Sequence, residues 1–291
     1  MYRFFKTLCQ NRLALSAFLL VLLFTFFALL SFIDMFFFNE KIISSLLYSP
    51  SRMSVLEKLQ PPSWKHILGT DQLGRDLLAR IIYGSMVSLV VCILAVGLSG
   101  ITGTVIGLIA GYSGGLIDDI VMRIVDIMLA FPGIILAIAV AGFLGPGFFS
   151  IVLALAVKSW VIYARLIRSR VLEIKNQEYV RAAYAMGAGN ARIIFRHILP
   201  NCISTLIVQA AMDMGTIMIA EAGLSFIGLG PQPSLPSWGN MLSTGRNYIT
   251  NGWWLSVFPG LAIFLTVLCF NLIGDILQEV FDPKLKNKKG E

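Results

Sequence analysis

The chain has 291 residues, 57% of them hydrophobic and only 13% charged, with a net charge of +7 and a mean hydropathy of +0.79. Soluble domains carry about 25% charged residues, so this composition excludes an ordinary soluble enzyme and points to a polytopic membrane protein. The four cysteines (Cys9, Cys92, Cys202, Cys269) lack paired spacing, and His66 and His197 have no acidic partner at motif spacing, which leaves a disulfide framework, a metal centre and hydrolytic chemistry without a motif.

Residues 13–33 form an unbroken apolar run behind Arg3, Lys6 and Arg12. A signal peptide has an apolar core of about 7–15 residues and a cleavage site. This run is longer and continues into Phe36, Phe37 and Phe38, so it reads as a retained first span. Residues 39–85 are a polar excursion containing Pro50, Pro61 and Pro62. Near its end, Thr70 or Asp71 is placed to cap a helix with Leu73, Leu77, Leu78, Ile81 and Ile82 on one face. Asp76 and Arg80 then form an i, i+4 pair on the other. The stretch reads as an interfacial helix lying along the membrane. Alternatively Gly69, Thr70, Asp71, Gly74, Arg75 and Asp76 form part of a docking surface.

The second span covers 87–109. Gly103, Gly107 and Gly111 recur every four residues behind Gly97 and Gly100, a spacing that lets helix backbones approach closely in lipid. A short turn leads to the third span, 120–143, in which Pro132 predicts a kink. Gly145-Pro146-Gly147 breaks the chain before the fourth span, 149–167. The fifth covers 202–222, and a loop rich in Gly, Pro and Trp (228–254) precedes the sixth, 255–276.

Between the fourth and fifth spans lies QEYVRAAYAMGAGNARIIFRHILP, residues 177–200. Val180, Ala183, Tyr184 and Gly187 share one helical face, and Ala191, Ile194, Phe195 and Ile198 repeat the pattern. Gly187 suits a left-handed helix end, Asn190 a new N-cap, and Pro200 the first turn of the next helix. The expectation is an elbow of two short amphipathic helices, suited to seating in a groove of another protein. In it Ala182, Ala183 and Gly187 allow close approach, and Arg192 and Arg196 supply charge. A DNA-reading helix-turn-helix is excluded by its attachment to membrane spans at both ends.

Six spans put both termini on the elbow's side. That side receives Arg3, Lys6, Arg12, Arg123, Arg165, Arg168, Arg170, Lys175, Arg181, Arg192, Arg196, Lys284, Lys286, Lys288 and Lys289. The other receives seven basic residues, six of them in the first loop. The positive-inside bias therefore predicts a cytoplasmic elbow and cytoplasmic termini, and it accounts for the basic charge without nucleic acid. Asp126, Lys158, Asp213 and Glu221 fall within or near spans, where ionisable groups are functional candidates, and a proton-coupled carrier is one reading of them. The absence of a visible inverted repeat argues against it. Met212, Met214 and Met218 lie close together and read as packing residues rather than a soft-metal path. No phosphate loop of the GxxxxGK[ST] type occurs, so ATP binding through one is excluded.

The elbow resembles the cytoplasmic signature loop of permease subunits in binding-protein-dependent ABC importers. Ala182, Ala183, Gly187, Leu199 and Pro200 match that pattern, and Gly189 lies within it; Arg181 stands where the family has a glutamate. Residues 68–76, 223–242 and 270–285 are similar to the second permease of the dipeptide, oligopeptide and nickel branch. The resemblance implies an all-α, six-helix type I importer (MetI-like) fold with one extra N-terminal helix. Its divisions are an N-terminal region with the first span (1–38), an extracytoplasmic loop (39–85), a transmembrane domain (86–275) and a cytoplasmic tail (276–291). It implies a non-catalytic subunit of a cell-membrane importer of di- or oligopeptides, with nickel or a metal–chelator complex as the alternative cargo. It implies no cofactor in this chain and ATP and Mg used by two ATPase subunits. A related second permease, an extracytoplasmic binding protein and membrane lipid complete the set of partners. The pathway candidates on this reading are Asp126, Asp213, Met214, Met218 and Glu221.

Overall fold

A computed structural model describes Leu8 and residues 12–38, 40–231 and 235–281. Arg3, Lys6, Cys9 and the four tail lysines lie outside the described residues. The elements are helices α1 (Arg12–Phe37), α2 (Lys41–Leu46), α3 (Leu77–Ser113), α4 (Gly115–Ala130), α5 (Gly133–Leu144), α6 (Phe148–Lys175), α7 (Glu178–Ala185), α8 (Asn190–Ile193), α9 (Leu199–Phe226), α10 (Trp238–Gly245) and α11 (Trp254–Phe281). Among the described residues the only β-type pairing is an isolated bridge between Thr70 and Asp76. Five helices are long and apolar enough to cross a membrane, and α4 with α5 makes a sixth crossing bent by 92°.

Two expectations change here. The interfacial helix and the second span are one 37-residue helix, α3. Gly84, which marks their junction in the sequence, does not interrupt it, and a Cβ there would lie 2.8 Å from Trp238 Cδ1. The glycine makes room for an indole. Pro132 does more than kink the third span. It forces Phe131 into extended backbone (φ −82°, ψ 135°), which ends α4, and then opens α5.

The glycine repeat packs as expected. A Cβ on Gly103 would meet Trp160 O at 2.4 Å, one on Gly107 Ala164 O at 2.5 Å, and one on Gly111 Val171 Cβ at 2.9 Å. Contacts climb together along α3 and α6, so these helices run parallel with their backbones in close approach. Gly97 and Gly100 do not share the seam: Gly97 faces open space, and Tyr163 is 3.7 Å from the ideal Cβ of Gly100.

The main core gathers around Trp238, fully buried, whose Nε1 donates to Ile81 O at 2.9 Å while Phe24 of α1 meets it edge-on. Asp34, buried near the end of α1, accepts from the backbone N–H groups of Ile42 and Ile43 at 2.8 and 2.9 Å and from Tyr83 Oη at 2.5 Å. It fastens α1 and α2 to α3, and no sequence motif marked it. The start of α3 lies beside Trp254 and its end beside the elbow. Leu8 and Ala14 cluster with Ile276, so the start of α1 and the end of α11 share one side.

Candidate functional site: elbow, tethered loop and interior charges

The elbow begins with α7, whose Val180 and Ala183 are buried, Val180 in a cluster with Ile167, Val171 and Ile174 of α6 and Leu108 of α3. Its C-terminus closes as a Schellman motif: Ala188 N–H donates to Ala183 O at 3.1 Å and Gly187 N–H to Tyr184 O at 2.9 Å. Gly187 takes φ +83° in open space, so backbone conformation rather than crowding requires the glycine. Asn190 does not cap. Gly189 occupies the N-cap position, and Asn190 Oδ1 accepts from Tyr112 Oη at 2.8 Å. Lys175 Nζ donates to Tyr112 O at 2.6 Å and lies 5.3 Å from the Tyr112 ring centroid, so Tyr112 ties the end of α3 both to the end of α6 and to the second arm of the elbow.

The second arm differs from the expected pattern. Residues 194–198 form a π turn in which Leu199 N–H donates to Ile194 O, and the chain continues into α9 without a joint. Pro200 supplies the reason, since it has no N–H and its ring crowds the carbonyl four residues back. Asn201 Nδ2 donates to His197 O at 2.6 Å in the turn that follows. The extra residue shifts the phase, so Ile193 and Ile198 point inward while Ala191 and Phe195 are exposed.

Of the eight residues expected to form the coupling surface, six are exposed (Ala182, Gly187, Gly189, Arg192, Arg196 and Pro200) and two are not. Ala183 is buried, and Leu199 is half-buried. Exposed with the six are Tyr184 (65%), Met186 (82%), Phe195 (68%) and Arg181. Arg181 makes no ion pair among the described residues. An apolar crest with a basic border is a surface for protein contact. The signal for it was present in the sequence as Tyr184 and Met186 beside the helix-ending glycine.

The docking reading of residues 69–76 is not supported. Thr70, Asp71 and Asp76 are buried, and their polar atoms are occupied internally. Asp71 accepts from the N–H groups of Leu73 and Arg75 and from Arg75 Nε, with Arg80 Nε 3.6 Å away. Asp76, rather than Thr70 or Asp71, is the N-cap of α3, accepting from Ala79 N–H at 2.9 Å, and its other oxygen meets His66 Nδ1 at 2.9 Å. So the expected Asp76–Arg80 pair is replaced by Asp71–Arg80, and His66 does have an acidic partner. Gly69 and Gly74 adopt φ +84° and +73°, and a Cβ on Gly74 would overlap Ser54 O at 1.9 Å. Trp254 Nε1 donates to Thr70 O at 3.1 Å, which anchors this knot to α11. The exposed part of the excursion is elsewhere, at Leu56, Trp64 and Ile67.

The interior ionisable groups separate into three environments. Asp126 is half-exposed and paired with Arg165. Glu221 is fully buried, with one oxygen accepting from Ser225 Oγ at 2.8 Å and the other without a partner. Asp213, 5% exposed, accepts from Gln209 Nε2 at 3.2 Å, lies beside Tyr163 and within electrostatic reach of Lys158, and keeps Oδ2 unbonded. Met214 and Met218 are buried core residues, and Met218 Sδ is 3.9 Å from Cys92 Sγ. An apolar groove of about 600 Å³ runs between α3 and α9, from Ser113 and Phe195 at the elbow to Tyr163 and Ala210 inside the bundle.

Residues 103–287 match the family described as binding-protein-dependent transport system inner membrane component. The chain is 43% identical to the dipeptide transport system permease protein DppC of Alkalihalophilus pseudofirmus, over 97% of this chain and 90% of that one. It is 47% identical to the glutathione transport system permease protein GsiD of Pectobacterium atrosepticum, over 78% and 75% of the two chains. Bacillus subtilis DppC, also a dipeptide transport system permease protein, is 42% identical over 88% of this chain and 81% of its own. Among solved structures, the crystal structure of an amino acid ABC transporter with histidines superposes with TM-score 0.55 at 17% identity, covering 70% of this chain and 95% of that one.

Proposed function

The chain belongs to the family of binding-protein-dependent transport system inner membrane components, and on that premise we propose that its elbow is the part through which separate ATPase subunits drive it. It is a membrane permease subunit of an ABC importer. Di- and oligopeptides are the cargo we assign to it, supported by relatives named for dipeptide, di/tripeptide and glutathione transport. ATP and Mg act in the ATPase subunits, and this chain holds no cofactor of its own. A related permease completes the pathway in the lipid bilayer, and an extracytoplasmic binding protein delivers cargo. The positive-inside distribution supports a cytoplasmic position for the elbow and both termini.

The observation that carries the coupling assignment is the exposed crest of Tyr184, Met186 and Phe195 on a support fixed from three helices. A rigid arm with an apolar end can pass a push from a docked subunit into the bundle, and rigid-body rocking then alternates access. Arg181, at the position of the family's acidic residue, sits on the rim of the crest and sets its local charge.

The test uses the complete importer in proteoliposomes. Met186→Asp and Tyr184→Asp, both on exposed positions, should leave the permease pair in the membrane but remove co-purifying ATPase and stop ATP-dependent dipeptide uptake. Retained ATPase and retained stimulation of hydrolysis by the loaded binding protein would refute the coupling role.

A further inference from the structure

The break between α4 and α5 lies against the middle of α6, where the Lys158 stem crosses Gly133. A Cβ on Gly133 would meet Lys158 Cε at 2.9 Å and Cγ at 3.1 Å. Lys158 is half-buried, and no carboxylate approaches its ammonium within 4 Å among the described residues. Asp213 faces it from α9, 15 residues into that 28-residue helix, with Tyr163 Oη beside it and neither that hydroxyl nor Asp213 Oδ2 held in a well-formed hydrogen bond. A cation and an anion are thus held near each other at mid-bundle without closing an ion pair. Such an arrangement is costly in a low-dielectric interior unless something bridges it.

The backbone supports the same polarity. The α5 helix, 12 residues long, starts at Gly133 with its free N–H groups next to the Lys158 stem. Helix N-termini exposed by a broken span carry partial positive charge and favour anions. The lysine and the helix end therefore make one positive side, and the free oxygen of Asp213 makes the negative side. The apolar groove is lined by Tyr163 and by Ala210, one turn from Asp213, so it passes close to the couple.

We infer that Lys158 with the N-terminal turn of α5, and Asp213 opposite, form a charge-reading site for a zwitterionic peptide in transit, the first taking its carboxylate and the second its ammonium. The inference rests on the assignment of peptide cargo. A dipeptide is the smallest peptide with both charges, and its extended termini are up to about 7 Å apart, beyond the span of one direct ion pair.

The test compares uptake of a free dipeptide, its C-terminal amide and its N-acetyl form by the complete reconstituted importer with one binding protein throughout. Lys158→Met should lower uptake of the free dipeptide by about tenfold relative to the amide, the scale of one charge-assisted hydrogen bond. Lys158→Arg should restore that ratio. Asp213→Asn should do the same for the free dipeptide relative to the N-acetyl form, and it decides the matter if Lys158→Met does not assemble. Variants that affect free and blocked peptides equally, or not at all, would overturn the site. Wild-type complex that imports no peptide would instead remove the cargo assignment, and this site with it.

Discussion

Arg168 of α6 donates Nε to Asp118 Oδ1 at 3.0 Å and Nη2 to Asp118 Oδ2 at 2.6 Å, a two-point clamp across 50 residues that fixes the start of α4 to α6 just above the elbow. Asp118 is largely buried, so the clamp works in a poorly solvated place and is fitted to a planar guanidinium. Arg168→Lys should therefore destabilise the purified complex by about 1–2 kcal/mol although charge is kept. Asp118→Asn should cost a similar amount. In a double-mutant cycle of thermal or denaturant unfolding, the two losses should fall well short of adding.

The glycines of α3 divide by what faces them. Gly107→Val places two methyl groups against the α6 backbone and should cost about 1–3 kcal/mol or prevent assembly. Gly97→Ala, facing open space, should leave the melting temperature unchanged or slightly raised. Unfolding of the two variants side by side checks the seam.

At the elbow, Gly187→Ala should cost about 1 kcal/mol, because a Cβ is disfavoured at φ +83°. Gly187→Asn should be close to neutral, since asparagine tolerates left-handed backbone. The readout is protease sensitivity of the 186–190 bend together with ATPase stimulation. Both should follow the order Asn, then Ala, then Val, with Val the worst.

The Asp76 knot makes a prediction opposite to a docking surface. Asp76→Ala removes the N-cap of α3 and leaves His66 Nδ1 buried without its partner, a combined loss of about 2–4 kcal/mol. Affinity for the loaded binding protein should be unchanged in the fraction that folds. A selective loss of affinity with normal thermal stability would return these residues to the surface role.

How much of this could be read from sequence depended on the range of the interaction. Gly187 and the Gly103–Gly107–Gly111 seam obey local rules of backbone and spacing, and both appear where the sequence places them. Thr70–Asp76 misled because a polar, glycine-rich stretch looks the same whether it is solvated or folded in on itself. Only Trp254, 184 residues away from Thr70, and His66 reveal that it is the latter. Asn190 has good capping chemistry, but Tyr112 holds its side chain instead, at a separation of 78 residues. Pro132 signals a disturbance without its size: a kink and a 92° break require the same residue, and neighbouring packing chooses between them. Lys158 and Asp213 were visible as charges in apolar spans, but their failure to pair could be seen only in three dimensions.

The π turn at 194–198 means that the lower arm of the elbow and Asp213 belong to one uninterrupted 37-residue rod, Asn190–Phe226, about 55 Å long at 1.5 Å per residue. A π turn holds one residue more than the α-helical path needs. With Pro200 holding that turn in place, a push at Arg192 reaches Asp213 along continuous backbone rather than across a hinge.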